Sequence, residues 1–184
     1  MKNLKLIALL AIPVLFSTSC SNDDESVNEE EVITTITTTL VGGGQTITLT
    51  SRDLDGEGPN APVVTVSGNL VAGTTYTGST TFLNELESPA EDITIEVEEE
   101  GAEHQVFYQL AASLGTVTYT DTDENGRPIG LSFTLVAGTS GSSGNLTVTL
   151  RHEPNKTASG VASGDITNAG GSTDAVVSFP IAVN

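Results

Sequence analysis

From Val32 onward the chain alternates β-branched or apolar residues with polar ones at a period of two, and this decides its fold class. Val32, Thr34, Ile36 and Thr38 interleave with Ile33, Thr35 and Thr37. Side chains of this type lose rotamer freedom in a helix and pack well on a pleated surface, so the run predicts a strand. Gly42-Gly43-Gly44 supplies a turn, and Gln45–Thr50 returns with Ile47 and Leu49 on one face. Together they predict a hairpin.

The same period recurs to the end of the chain. Arg52–Pro62 is rich in Asp, Gly and Pro and predicts a long loop, followed by a short strand near Val63–Val66. Gly73–Asn84 alternates again. Ser88–Asp92 marks a break that could cap a single helical turn, the one place where a helix is expected. Ile93, Ile95 and Val97 alternate with Thr94, Glu96 and Glu98, which predicts a half-buried strand. Further strands are expected near His104–Ala111, Thr116–Asp121, Leu131–Val136, Asn145–His152 and Asp174–Val183, with Lys156–Gly171 as a long, glycine-rich surface loop. About eight to nine short strands without a clear helix predict an all-β fold, an antiparallel β-sandwich of the immunoglobulin-like, Greek-key type.

Ahead of this domain the pattern is different. Met1–Lys5 carries two positive charges and no negative one, Leu6–Phe16 is apolar, and Ser17-Thr18-Ser19 leads to Cys20, the chain's one cysteine. A basic start, a short apolar run and small residues describe a secretory signal peptide, too short to span a bilayer. A lone cysteine in an exported chain also fits an intermolecular disulfide or a reactive thiol, but its place between signal and polar tether favours another role. The segment resembles the lipobox of bacterial lipoproteins, although Ser17 stands where that motif most often has Leu. The resemblance implies lipidation of Cys20, and acyl chains at about 0.8 kcal/mol per buried methylene anchor a protein permanently. Asn22-Asp23-Asp24-Glu25 is similar to the surface-export signal of Bacteroidota lipoproteins. Residues 1–19 are thus expected as signal peptide, 20–31 as a lipidated acidic tether and 32–184 as the β-sandwich domain.

The formal charge of the chain is -18, and loss of Lys2 and Lys5 with the signal peptide makes the remainder more negative still. Such a surface repels phosphates and excludes nucleic acid, while it favours cations. Aromatic residues make up 4% and tryptophan is absent. Tyr76, Phe107 and Tyr108 are the few candidates for a glycan-binding platform, and their alternation places most of them in the core, which weighs against that role.

Asp121-Thr122-Asp123-Glu124-Asn125-Gly126 matches the first half of a calcium loop, with Asp121, Asp123 and Asn125 as the alternate oxygen donors. Its twelfth position is Ser132 rather than Glu. Asp, Asn and Gly are also what a tight hairpin loop requires for backbone reasons. Asp53-Leu54-Asp55-Gly56-Glu57 carries the same two meanings.

His104 and His152 are the chain's two histidines. His104 shares strand parity with Val106, Tyr108 and Leu110, and His152 shares it with Leu146, Val148 and Leu150. Each extends an inward face at one rim, and Asp121 falls at the same rim if residues 104–152 form a meander. Strands one and four of a single sheet lie about 14 Å apart, too far to share an ion. A His104, His152, Asp121 metal site therefore requires the meander to cross between sheets. Imidazole suits zinc, copper, nickel or iron, while two rim histidines can equally be hydrogen-bonded or solvated. Glu96, Glu98, Glu99, Glu100 and Glu103 read as a solvated edge that discourages strand pairing. No serine sits in a G-x-S-x-G elbow and no phosphate loop is present, so no catalysis is expected.

Asp53-Leu54-Asp55-Gly56, Asn60-Ala61-Pro62-Val63, Thr74–Gly78, Glu98–Gln105 and Leu150–Pro154 together resemble a family of small flavobacterial surface lipoproteins. That family often carries the label of the type 1 periplasmic-binding-fold superfamily. The label implies an α/β sheet with many helices, whereas the period-two pattern implies strands, and the pattern is the basis for the all-β expectation. The resemblance further implies an outer-membrane or cell-surface lipoprotein serving a TonB-dependent uptake receptor. The expected role is non-catalytic capture of a ligand, a divalent metal ion or metal complex among the candidates, with a structural or adhesive module or a glycan-binding module as the alternatives.

Overall fold

The computed structural model describes residues 31–184 except Glu57. Cys20, the signal peptide and most of the acidic tether lie outside the described residues. Ten strands form two antiparallel sheets: β1 (Thr35–Gly42), β2 (Gln45–Arg52), β3 (Val63–Val66), β4 (Thr75–Asn84), β5 (Glu91–Asp92), β6 (His104–Gln109), β7 (Gly115–Tyr119), β8 (Ser132–Ala137), β9 (Ser143–His152) and β10 (Ser172–Ala182). The larger sheet runs β3-β2-β1-β4-β8-β7, with β5 paired to one end of β4. The smaller sheet runs β10-β9-β6. The all-β sandwich is therefore present, and the α/β architecture implied by the superfamily label is not.

The apolar side chains that the period-two pattern points inward meet between the sheets. Leu40, Leu49, Tyr76, Phe82, Phe133 and Leu135 of the larger sheet pack against Val106, Tyr108, Leu146, Val148, Leu150 and Phe179 of the smaller. A buried polar chain fixes how the layers face each other. Tyr108 donates its hydroxyl to Gly130 O at 2.7 Å and lies 2.8 Å from Thr80 Oγ1, which in turn lies 2.9 Å from Thr38 Oγ1. Gly78 lets Phe133 lie directly on β4, because a Cβ there would meet the Phe133 ring at 2.3 Å.

One element departs from its expected type. Ile93–Glu99 is a helix, α1, rather than a strand. Asp92 caps it, its side chain accepting from Thr94 N. Ile93 and Val97 are four apart, so they share a helical face and are buried, whereas Ile95 points away and is 55% exposed. The spacing of two that resembled a strand contained a spacing of four that suits a helix equally well. The 156–171 segment is also more than surface: two 3-10 turns, Val161–Ser163 and Ile166–Asn168, bring Val161 and Ala169 onto Phe107 and cover the outer face of the smaller sheet. Among the described residues, no helix is long and apolar enough to cross a membrane.

Candidate metal centre

The chain from β6 to β9 does leave its sheet and return. β7 and β8 join the larger sheet, which makes β6 and β9 direct neighbours in the smaller one. Their register sets His104 opposite His152, and the rings stack with centroids 4.8 Å apart and an interplanar angle of 26°. Crossing therefore brings the histidines closer than facing sheets would have done.

The carboxylate beside them is Asp174, not Asp121. β10 pairs with β9 in regular register until the alignment shifts between Thr173, opposite Arg151, and Ala175, opposite Leu150. Asp174 is the extra residue of this bulge, and a bulge re-aims a side chain that simple alternation would send elsewhere. One donor atom each from His104, His152 and Asp174 lie within 4.8 Å of one another. Asp121 ends β7's side of the crossing, in the other sheet, where its two carboxylate oxygens accept from Gly130 N and Ser132 N at 2.8 Å each.

Glu31, the last residue assigned to the tether, belongs to the site as well. Its side chain is 5% exposed, and its Oε1 lies 2.8 Å from His104 Nε2. The contact is an approach of charges off the line of a ring N–H, so Nε2 gains no aligned hydrogen bond from it. Glu31, Glu100 and His104 form a second group of donors within 4.8 Å, and Glu103, His152 and Glu153 form a third toward solvent. Glu153 N donates to Glu103 O, and Glu153 has φ 49, a left-handed conformation that a non-glycine residue adopts at a cost.

His104 Nδ1 lies 3.2 Å from Glu100 O. A carbonyl oxygen only accepts, which assigns a proton to Nδ1, while the Glu31 carboxylate at 2.8 Å favours a proton on Nε2 as well, the proton that a metal ion would replace. This is the arrangement by which metal-binding histidines are oriented. Among the described residues, His104 Nε2, Glu31 Oε2 and Asp174 Oδ2 are buried without a hydrogen-bond partner. Groups buried in this way are costly unless a proton or a cation meets them.

The electrostatics agree. Burial pushes the Asp174 carboxyl up from its ordinary value, and the Glu31 carboxylate adds to the rise. Glu96 is raised by burial and by Glu31, Glu100 and Glu91. Burial alone would lower His104, but its contact with Glu31 outweighs that and the net direction is upward. For the two carboxyls burial comes first and the surrounding negative charge adds to it, whereas for His104 that charge opposes burial. The C-terminal end of α1, itself the negative end of a helix, carries Glu98 and Glu99 and no basic residue.

The residues of the calcium-like loop do other work. Asp123 Oδ1 accepts from Asn125 N and Arg127 N at 2.9 Å each. Its Oδ2 accepts at 3.0 Å from Lys156 Nζ, which also donates to Pro128 O at 2.9 Å and to Gly101 O. The side chains of Lys156 and Asp123 are 3% and 1% exposed. A lysine ammonium thus occupies the centre of these oxygens, and the loop's carboxylates serve as backbone caps. The other acidic loop is built likewise: Asp53 Oδ1 accepts from Asp55 N and Gly56 N, and Asp55 Oδ2 accepts from both Asn60 N and its side-chain amide.

Alternation alone located the histidines; it missed Glu31 and Asp174, the first because it lies before the strand pattern begins and the second because a bulge breaks parity. No family model, no curated protein and no solved structure matches the chain.

Proposed function

We infer that this chain is a lipid-anchored, cell-surface lipoprotein of the outer membrane whose sandwich captures a divalent transition-metal ion through His104, His152 and Asp174. The observation that carries this is the fully buried His104 ring, which turns an unpartnered Nε2 toward a carboxylate while its Nδ1 is held by a backbone carbonyl. Two imidazoles and a carboxylate suit zinc, iron, nickel or copper better than calcium. Zinc–ligand bonds of about 2.0–2.2 Å place tetrahedral donors about 3.3 Å apart, so donors that now lie within 4.8 Å of one another close by at most roughly 1.5 Å on loading. Capture is the whole role, without catalysis, and the ion passes to an uptake receptor in the same membrane. The lipid anchor rests on the basic start, the apolar run and the small residues before Cys20.

Calorimetric titration of the full mature chain with zinc, copper, nickel, iron(II) and calcium tests the proposal. Stoichiometric binding of one or more of the first four is expected, and it is lost in His104→Ala and His152→Ala and weakened in Asp174→Asn. Binding that survives both histidine changes refutes the site. An adhesive module is the second candidate, favoured by Val63 and Val64, which are exposed on the edge strand β3. A glycan platform finds less support, since Tyr76, Phe107 and Tyr108 are all buried.

A further inference from the structure

We propose that Glu31 is the fourth ligand of the metal, so that the captured ion clamps the N-terminal lead of the domain onto the rim of the smaller sheet. This rests on the metal-capture role above and extends it from the place of binding to its consequence. Three observations converge. Among the described residues, Glu31 brings its carboxylate closest to His104 Nε2, at 2.8 Å. Its other oxygen, Oε2, is buried with no hydrogen-bond partner among the described residues, as is Asp174 Oδ2. His104 belongs to both donor groups, the one with His152 and Asp174 and the one with Glu31 and Glu100, so it is their common vertex.

Charge explains why the two groups do not already coincide. Glu31 and Asp174 are like charges near one imidazole, and Glu31 raises the Asp174 carboxyl. Repulsion holds them apart, and a dication between them reverses the sign of that interaction. Rotation of the Glu31 side chain about its own bonds then completes two nitrogen and two oxygen ligands. Four protein ligands close a tetrahedral zinc sphere and leave no position for a reacting water, which is the pattern of a holding site and not of a catalytic one.

The backbone behind Glu31 makes the contact consequential. Among the described residues Thr34 is the first tied in by backbone hydrogen bonds: its N and Oγ1 both donate to Leu83 O, and its Oγ1 accepts from Glu85 N. Glu31 stands three residues ahead of it. Glu31 already lies against His104 without an ion and Ile33 packs on the core, so an ion would lock an existing contact; when that contact opens, the chain is next held by backbone hydrogen bonds at residue 34. Three extended residues span at most about 10 Å. Loading therefore suppresses the opening of this lead and, with it, the extra reach that opening gives to whatever precedes the domain.

The test uses zinc chloride and the full mature chain. Zinc affinity is compared among wild type, Glu31→Gln, Glu31→Asp and Glu99→Gln, the last removing an exposed charge at the end of α1 that belongs to none of the donor groups. A ligand role predicts a loss of at least tenfold in Glu31→Gln, a smaller loss in Glu31→Asp and a change under threefold in Glu99→Gln. Hydrogen exchange of the peptide covering residues 26–34 supplies the second readout: zinc slows it in wild type and leaves it unchanged in Glu31→Gln. Equal losses in Glu31→Gln and Glu99→Gln would reduce Glu31 to a general attraction and overturn the inference, as would zinc binding without protection of that peptide. Failure of wild type to bind zinc overturns the capture role itself, an outcome distinct from both.

Discussion

Replacing Lys156 by methionine separates a structural cation from a metal-binding loop. Lys156 Nζ serves Asp123 Oδ2, Pro128 O and Gly101 O, and both members of the ion pair are almost fully buried. Methionine keeps most of the stem volume and removes the charge, so the loss is electrostatic and not a matter of packing. Taking one partner from a buried pair strands the other, and the cost is about 3–5 kcal/mol. Asp123 keeps its two backbone donors, Asn125 N and Arg127 N, which places the expectation toward the lower end of that range. For a chain of this size each kcal/mol moves Tm by roughly 2–4 °C, so a fall of about 10 °C is expected in calorimetry, with a matching shift of the urea midpoint at constant slope. The double change Lys156→Met with Asp123→Asn removes both charges and should cost less than the sum of the single changes. Calcium should leave wild-type Tm unchanged, because its would-be ligands at Asp121 and Asp123 already accept backbone and lysine protons. A single Lys156→Met variant within about 1 kcal/mol of wild type, or a calcium-dependent rise in wild-type Tm that requires Asp123, would refute the reasoning.

Acid should act on the same pair. Burial alone would raise Asp123, but Arg127 N, the Lys156 ammonium and Asn125 N together hold it below its ordinary value of 3.8. A carboxyl depressed in the folded state stabilises above its unfolded value and loses that contribution as pH falls through the folded one. The stability gap between wild type and Asp123→Asn is therefore expected to be level near neutrality and to shrink below about pH 4, as read by urea titrations at stepped pH. Tyr108→Phe deletes the hydroxyl that reaches Gly130 O and Thr80 across the sandwich, and leaves the Gly130 carbonyl and a threonine hydroxyl buried beside a ring edge. A loss of about 1–3 kcal/mol is expected in denaturant unfolding, and a loss under about 0.5 kcal/mol would show that the polar chain does not hold the sheets together.

Much of the fold was legible because strands that bury one face must alternate. Val63–Val66 falls where the sequence predicts a strand, and the Gly43-Gly44 turn registers Val41 against Thr46 and Gly42 against Gln45, as a hairpin with Ile47 and Leu49 inward requires. The helix α1 was not legible because its two buried residues, Ile93 and Val97, satisfy both periods at once. Only the cap geometry at Asp92 and the exposure of Ile95 separate them. Burial of Val161 and Ala169 was hidden for a different reason: small residues among glycines give no period, and their burial depends on Phe107 projecting from the outer face of β6.

The site shows where alternation fails and what replaces it. His104 and His152 extend regular strands, so parity alone places them on one inward face, and the crossing of β7 and β8 to the other sheet then makes them neighbours. Asp174 cannot be placed that way. Counting outward from the buried Val177, Phe179 and Ile181, parity assigns Asp174 to the outer face; one inserted residue between Thr173 and Ala175 turns it toward the histidines. Asp121 loses its expected place through the same topology that unites the histidines. Once β7 joins the larger sheet, its following loop must be closed, and the Asp121 carboxylate does this by accepting from Gly130 and Ser132 across the turn. Carboxylates with both oxygens taken by backbone N–H groups or a buried lysine are turn hardware, whereas buried carboxylates with an oxygen left over are candidates for a cation. By that criterion Asp121 and Asp123 fall in the first class, Glu31 and Asp174 in the second, although the sequence presents Asp121 and Asp123 as the more conspicuous pair.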